Sequence, residues 1–183
     1  DYIRERTPYI SGTTVGGSGN PSPVTARGVY LGLKAAWKYK SGTDSLNGVR
    51  IAVQGLGSVG WALAEDLAKD GAKLVVADVD AERVAAAVKR LCATAIDVGG
   101  ILFADAEILA PCALGGILNK ETIPQVKVRV VAGAANNQLA DHGDAQLLAE
   151  RGILYAPDYV INGGGIVNVA MELMPGGYDR KAV

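Results

Sequence analysis

Val49-Arg50-Ile51-Ala52-Val53 is an apolar run that leads straight into a glycine turn, Gln54-Gly55-Leu56-Gly57-Ser58-Val59-Gly60. The pattern then predicts a helix from Trp61 to Lys69, stopped at Asp70-Gly71. A second apolar run, Lys73-Leu74-Val75-Val76-Ala77, ends at Asp78. The order is strand, turn, helix, strand, with an acid at the tip of the second strand.

Each part has a physical reason. A dinucleotide pyrophosphate needs backbone N–H donors and the positive end of a helix. Gly55 allows the tight turn out of the strand, Gly57 lets the backbone approach the phosphates, and Gly60 lets the helix sit close on the sheet. Asp78, 18 residues past Gly60, can accept both ribose hydroxyls of an adenosine, and its charge repels a 2′-phosphate, which favours NAD over NADP. Arg83, five residues on, could serve NADP; it reads as a solvated helix residue. An adenosylmethionine site also uses a glycine turn and an acid, but the complete three-glycine spacing argues against it.

The 183 residues suffice for one domain with a real core, at 49% hydrophobic content and a net charge of −1. That balance gives no reason to expect nucleic acid or an anionic membrane as partner. No apolar run approaches the ~20 residues that span a bilayer, and no secretory signal is visible. Cys92 and Cys112 do not make a disulfide framework, so a reduced, cytoplasmic setting is expected. The first residue is Asp, not Met, so a piece of a longer protein is expected.

In chain order, residues 1–10 read as the end of a helix, and 11–23, rich in Gly, Ser, Thr and Pro, as a loop or hinge. Ser22-Pro23 has the form of an N-cap followed by proline, opening a linker helix over 24–40 with Val24, Gly28, Leu31 and Ala35 as its apolar positions. Beyond Asp78 the pattern predicts a helix over 81–91 packed through its alanines, a short strand over 94–96 and a loop over 97–105. A buried strand over 108–110 ends at Pro111, and a valine-rich strand covers 127–132. A helix over 144–151, a strand over 153–155 and a last helix from Gly164 or Gly165 to Leu173 complete it. Alternating strands and helices imply a Rossmann-like, doubly wound parallel sheet covered on both faces.

Ligands of such sheets bind beyond the carboxyl ends of the strands. Besides the glycine turn, three segments follow strands: Ala110-Pro111-Cys112-Ala113-Leu114-Gly115-Gly116, Gly133-Ala134-Ala135-Asn136-Asn137-Gln138 and Asn162-Gly163-Gly164-Gly165. Small residues let a flat ring approach the backbone, and Asn offers the donor and acceptor that match a carboxamide. Cys112 as a nucleophile would need a base, and the only histidine, His142, lies in a polar turn. Trp37 and Trp61 lie on predicted helices and read as packing.

Five stretches together resemble the glutamate/leucine/phenylalanine/valine family of amino-acid dehydrogenases, most of all its leucine, phenylalanine and tryptophan branch. They are Gly19-Asn20-Pro21-Ser22-Pro23-Val24-Thr25, Val53-Gln54-Gly55-Leu56-Gly57, Ala110-Pro111-Cys112-Ala113-Leu114-Gly115, Gly133-Ala134-Ala135-Asn136-Asn137-Gln138-Leu139 and Tyr155-Ala156-Pro157-Asp158-Tyr159-Val160-Ile161-Asn162. The resemblance implies NAD-dependent oxidative deamination of an L-amino acid to a 2-oxo acid and ammonia by a homo-oligomer. It implies that the glycine turn, residues Gly55, Leu56, Gly57, Ser58, Val59 and Gly60, holds the diphosphate, and that Asp78 takes the adenosine ribose. Thr25 and the Asn136-Asn137 pair would hold the nicotinamide carboxamide and its ribose, with the choice between the two asparagines open. Ala110, Pro111 and Cys112 would line that ribose, and Asn162 would stand where nicotinamide meets substrate. Ile166 and Val169 would flank the substrate side chain; both are β-branched, which favours leucine or valine over phenylalanine or tryptophan.

Gly163 departs from the family's usual Ala. The family's catalytic lysines and proton-shuttling aspartate lie in a separate N-terminal domain that no segment here matches; Lys34, Lys38 and Lys40 on the linker helix do not replace them. The resemblance therefore divides the chain into 1–23, a tail of that domain and hinge, and 24–183, the NAD-binding domain. A stand-alone module that binds NAD without chemistry is the competing expectation.

Overall fold

Arg50–Gln54 form β1, the centre of the sheet in the computed structural model, which describes residues 2–3, 5–7, 10–14 and 17–179. Ile51, Ala52 and Val53 are wholly buried, and alternate residues point to opposite faces. Ile51 and Val53 join the core under one layer of helices, and Ala52 joins the core on the other side. A strand covered on both faces has to be apolar without alternation, and this one is.

Around β1 the chain places β2 (Lys73–Ala77), β3 (Thr94–Ala95), β4 (Ile108–Pro111), β5 (Val130–Val131) and β6 (Leu154–Tyr155). All pairings are parallel, in the order β3-β2-β1-β4-β5-β6. The order reverses between β1 and β4, which makes the crevice above them the topological switch point of a doubly wound sheet. The helices are α1 (Ser22–Ser41), α2 (Ser58–Lys69), α3 (Ala81–Leu91), α4 (Asp144–Glu150), α5 (Asp158–Ile161) and α6 (Gly164–Ala170). Leu33 of α1, Leu63 and Leu67 of α2 and Ala87 of α3 belong to the first core; Leu148 of α4 belongs to the second, with Ile101, Leu118 and Ile123.

Several expectations need correction. The buried face of α1 is Ala26, Val29, Tyr30, Leu33 and Trp37, not Val24, Gly28, Leu31 and Ala35; Leu31 is 51% exposed. The two aromatics, with the largest area to remove from water, set the orientation. Helix α1 starts at the expected cap itself, so Pro21 stands in the cap position, and Asn20 Oδ1 accepts from the Ser22 N–H at 3.0 Å. Helix α2 begins at Ser58, so half of the glycine turn is its first turn. Only Ala87 is buried on α3. The strand expected over 127–132 pairs only at Val130 and Val131, opposite Ile108 and Leu109 of β4. The short helix α5 and the single 3-10 turns Ile101–Phe103 and Ile123–Gln125 went unread; the last helix, expected to reach Leu173, is α6 to Ala170 continued by a 3-10 turn, Met171–Leu173. Within 1–10 the described residues form turns, and the rest of the expected helix end lies outside the described residues. Trp37 and Trp61 pack as expected, each under an arginine, Arg129 and Arg90.

Candidate functional site

The site grows out of the end of β1. Gly55 donates its N–H to Ala77 O at 2.8 Å and turns the chain with φ +92°. A Cβ there would stand 2.8 Å from the Cβ of Ala113, so the turn and the loop after β4 touch only because Gly55 has no side chain. Gly60 is tighter still: a Cβ would meet Gly55 O at 2.0 Å. Gly57 differs, since a Cβ there would have nothing within 4 Å. No internal contact demands that glycine; it leaves open the space in front of the α2 N-terminus, where first-turn amides have no intrahelical acceptor.

At the end of β2, one oxygen of Asp78 accepts from the Leu56 N–H at 2.5 Å and the other from the Asp80 N–H at 2.8 Å. Partial burial works to raise the pKa of this carboxyl. The backbone donors of Leu56 and Asp80 and the charge of Arg83 outweigh it and hold the group below the ordinary value of 3.8. It is therefore an anion at neutral pH, with lone pairs left for further donors. Arg83 is ion-paired with Asp80 at 3.1 Å. Asp78 also stands on the rim of an open groove of about 540 Å³ with Val79, Val84 and Ile96 in its walls.

On the other side of the turn lies a cleft of about 400 Å³, lined by Pro21, Thr25, Val59, Ala134, Asn136, Asn162, Gly165, Ile166 and Val169. Six of these are residues expected from sequence, drawn from α1, α2, α6 and the loops after β5 and α5. The Asn162 amide donates to Ala134 O at 3.2 Å and to Asn136 Oδ1 at 2.7 Å. Because Ala134 O can only accept, both amides are fixed in orientation. The pair then offers Asn162 Oδ1 as an acceptor and Asn136 Nδ2 as a donor. Thr25 gives its hydroxyl hydrogen to Pro21 O at 3.1 Å and keeps its lone pairs.

The remaining expected residues fall elsewhere. Asn137, in the left-handed region at φ +52°, borders a different pocket with His142 and Tyr155. Ala110 and Pro111 are buried in the sheet, and of the three residues Ala110, Pro111 and Cys112 only Cys112 is partly exposed. Burial pushes the Cys112 thiol up to about 11, only partly offset by the Ala134 N–H, so it is a neutral thiol and a poor nucleophile. Lys34 is held by Asp70 at 2.7 Å and Lys40 donates to Gly152 O at 2.6 Å, so neither is free for chemistry. Pro21, Ala134 and Gly165 were not singled out from sequence, although each lies inside a stretch that was; no periodicity distinguishes a lining residue from its neighbours. Among the described residues no group of acids, histidines and cysteines could hold a metal.

Sheet order, glycine turn and acid define a Rossmann-like, doubly wound domain. A family described as Glutamate/Leucine/Phenylalanine/Valine dehydrogenase matches residues 16–82 and 76–176, and the chain belongs to that family. Leucine dehydrogenase from Geobacillus stearothermophilus is 51% identical over 183 residues, 99% of this chain and 49% of the relative. The crystal structure of L-tryptophan dehydrogenase from Nostoc punctiforme superposes with a TM-score of 0.86 at 46% identity, over 90% of this chain and 50% of that one. The hetero-hexameric glutamate dehydrogenase from Thermus thermophilus gives 0.69 at 30% identity, over 88% and 42%. The chain thus spans about half the length of these relatives.

Proposed function

We propose that this chain is the NAD-binding portion of an L-amino-acid dehydrogenase that deaminates a branched-chain amino acid, of the leucine or valine type, to its 2-oxo acid and ammonia. The observation that carries the reading is the unequal need for the three glycines. Gly55 and Gly60 are required by internal contacts, whereas Gly57 guards only open space, as a backbone approached by a diphosphate needs. Adenine would lie in the groove beside Val79 and Ile96, and its ribose hydroxyls would donate to Asp78. The nicotinamide end would enter the cleft at Thr25, Asn136 and Asn162. There Asn136 Nδ2 would donate to the carboxamide oxygen, while Thr25 Oγ1 or Asn162 Oδ1 would accept from its NH2. Asn137 remains a second candidate, for the ribose. The bound nicotinamide would supply the hydride acceptor for the substrate Cα.

Ile166, in the lining of the cleft, is 70% exposed. Apolar side chains at the mouth of a cleft call for a cover, which supports a second wall, with the catalytic lysines and aspartate, contributed from outside this chain. The tail-and-hinge assignment of 1–23 and the homo-oligomer follow from the same reading. Phenylalanine or tryptophan is the alternative substrate, favoured by the likeness to L-tryptophan dehydrogenase.

The test is NADH formation by the intact protein with L-leucine, L-valine, L-phenylalanine and L-tryptophan. Leucine or valine should turn over fastest, and faster aromatics would overturn the substrate assignment. No turnover with any of them would overturn the activity. The 183 residues alone should bind NAD and deaminate nothing; turnover by that piece would refute the division of labour.

A further inference from the structure

The two asparagines that meet in the cleft come from different loops, and their contact requires those loops to keep one register. Asn136 belongs to 133–138 after β5; Asn162 is the C-cap of α5 and donates its own N–H to Asp158 O at 3.0 Å. Beneath them lies a polar connection. Gln138 is wholly buried and Asp158 is 8% exposed. The Gln138 side-chain amide donates to Gly133 O at 2.9 Å and Ala135 O at 3.0 Å, folding the loop into a staple with Asn136 at its crest. The Gln138 backbone N–H donates to Asp158 Oδ2 at 3.2 Å, and the other carboxylate oxygen accepts from Tyr159 N–H at 2.9 Å. One buried carboxylate thus binds the asparagine loop to the first turn of the helix that ends in the other asparagine. Charge-assisted bonds shielded from water hold geometry better than the exposed contact between the two asparagines alone could.

We propose that Gln138 and Asp158 are positioning residues that set the Asn136–Asn162 pair against the reacting end of the cofactor. The inference rests on the dehydrogenase reading. It separates two effects: the diphosphate and adenosine ribose contacts lie on β1 and β2, away from this connection, so cofactor affinity should survive while hydride transfer suffers.

The experiment uses the intact protein carrying Gln138→Met, Asp158→Ala or Asp158→Asn. Measured quantities are NAD affinity by calorimetry, kcat and KM, thermal unfolding, and the deuterium isotope effect on kcat with α-deuterated leucine. The expected result is a kcat lower by about 10- to 100-fold, as for misplacement on the ångström scale, with the NAD Kd within about threefold of wild type. The isotope effect should rise as hydride transfer becomes limiting. Asp158→Asn, which keeps one acceptor, should lie between wild type and Asp158→Ala, and it decides the matter if the alanine variant does not fold. Folded variants with wild-type kcat and isotope effect would overturn the proposal, as would kcat and NAD affinity falling together. A wild-type protein that neither binds NAD nor turns over would remove the dehydrogenase reading itself, a result distinct from either.

Discussion

Gly57 and Gly60 stand three positions apart, yet the structure asks different things of them. At Gly60 a methyl group would overlap Gly55 O at 2.0 Å, so Gly60→Ala should cost about 3 kcal/mol of stability and open the turn. At Gly57 φ is −66°, a value any residue adopts, and the space is empty. Gly57→Ala should leave thermal unfolding unchanged and weaken NAD about tenfold, or about 1.4 kcal/mol. Unfolding curves and NAD titrations of both variants check this; equal stability losses would remove the argument from unequal need. At this scale the sequence was legible where a residue type has few alternative uses. Three glycines and an acid at fixed spacing left little choice. The asparagines were less legible, because only the fold puts Asn136 against Asn162 and turns Asn137 to another pocket. Gln138 and Asp158 could not be paired from sequence at all, since each meets the other's loop only through a buried bond.

Helix α1 meets α2 through a polar clamp as well as an apolar face. Asp70, just past α2, accepts from Tyr30 Oη at 2.7 Å and from Lys34 Nζ at 2.7 Å. The Lys34 and Tyr30 hydrogen bonds hold the Asp70 carboxyl below its ordinary 3.8, and the Asp70 bond holds the Lys34 amine above its ordinary 10.5. The signs follow. The Asp70 contribution is complete above 3.8 and lost as pH falls through its lowered value. The Lys34 contribution is complete below 10.5 and lost as pH rises through its raised value. Asp70→Asn should therefore destabilise the fold by about 1 kcal/mol at neutral pH and flatten its acid limb; an unchanged acid limb in unfolding experiments would show the clamp contributes nothing. Elements were legible according to how they bury area. Strand β1 announced itself because it is apolar on both faces. The face of α1 was misread because Val24, Gly28, Leu31 and Ala35 recur at helical spacing on one side while Tyr30 and Trp37 decide the other. Helix α5 has too few residues for any period to show.

The molecule as a whole was legible because alternation of strand and helix admits few topologies once connections are right-handed and the sheet is parallel. What composition could not convey is how short several strands are: β3, β5 and β6 each pair over two residues, so the sheet is long in its middle and thin toward its rims. The thick middle is where the candidate site sits. There, the carboxylate at the end of β2 is hydrogen-bonded to the amide of Leu56 in the loop leaving β1. On the dehydrogenase reading proposed above, a sugar arriving at that oxygen would compete with, or share, the bond that steadies the turn proposed to hold the diphosphate. Occupancy of one half of the proposed site would then be felt by the other. Adenosine and inorganic pyrophosphate, added together, should not bind as two indifferent guests. Their measured affinities should depend on each other, and Asp78→Ala should make them independent.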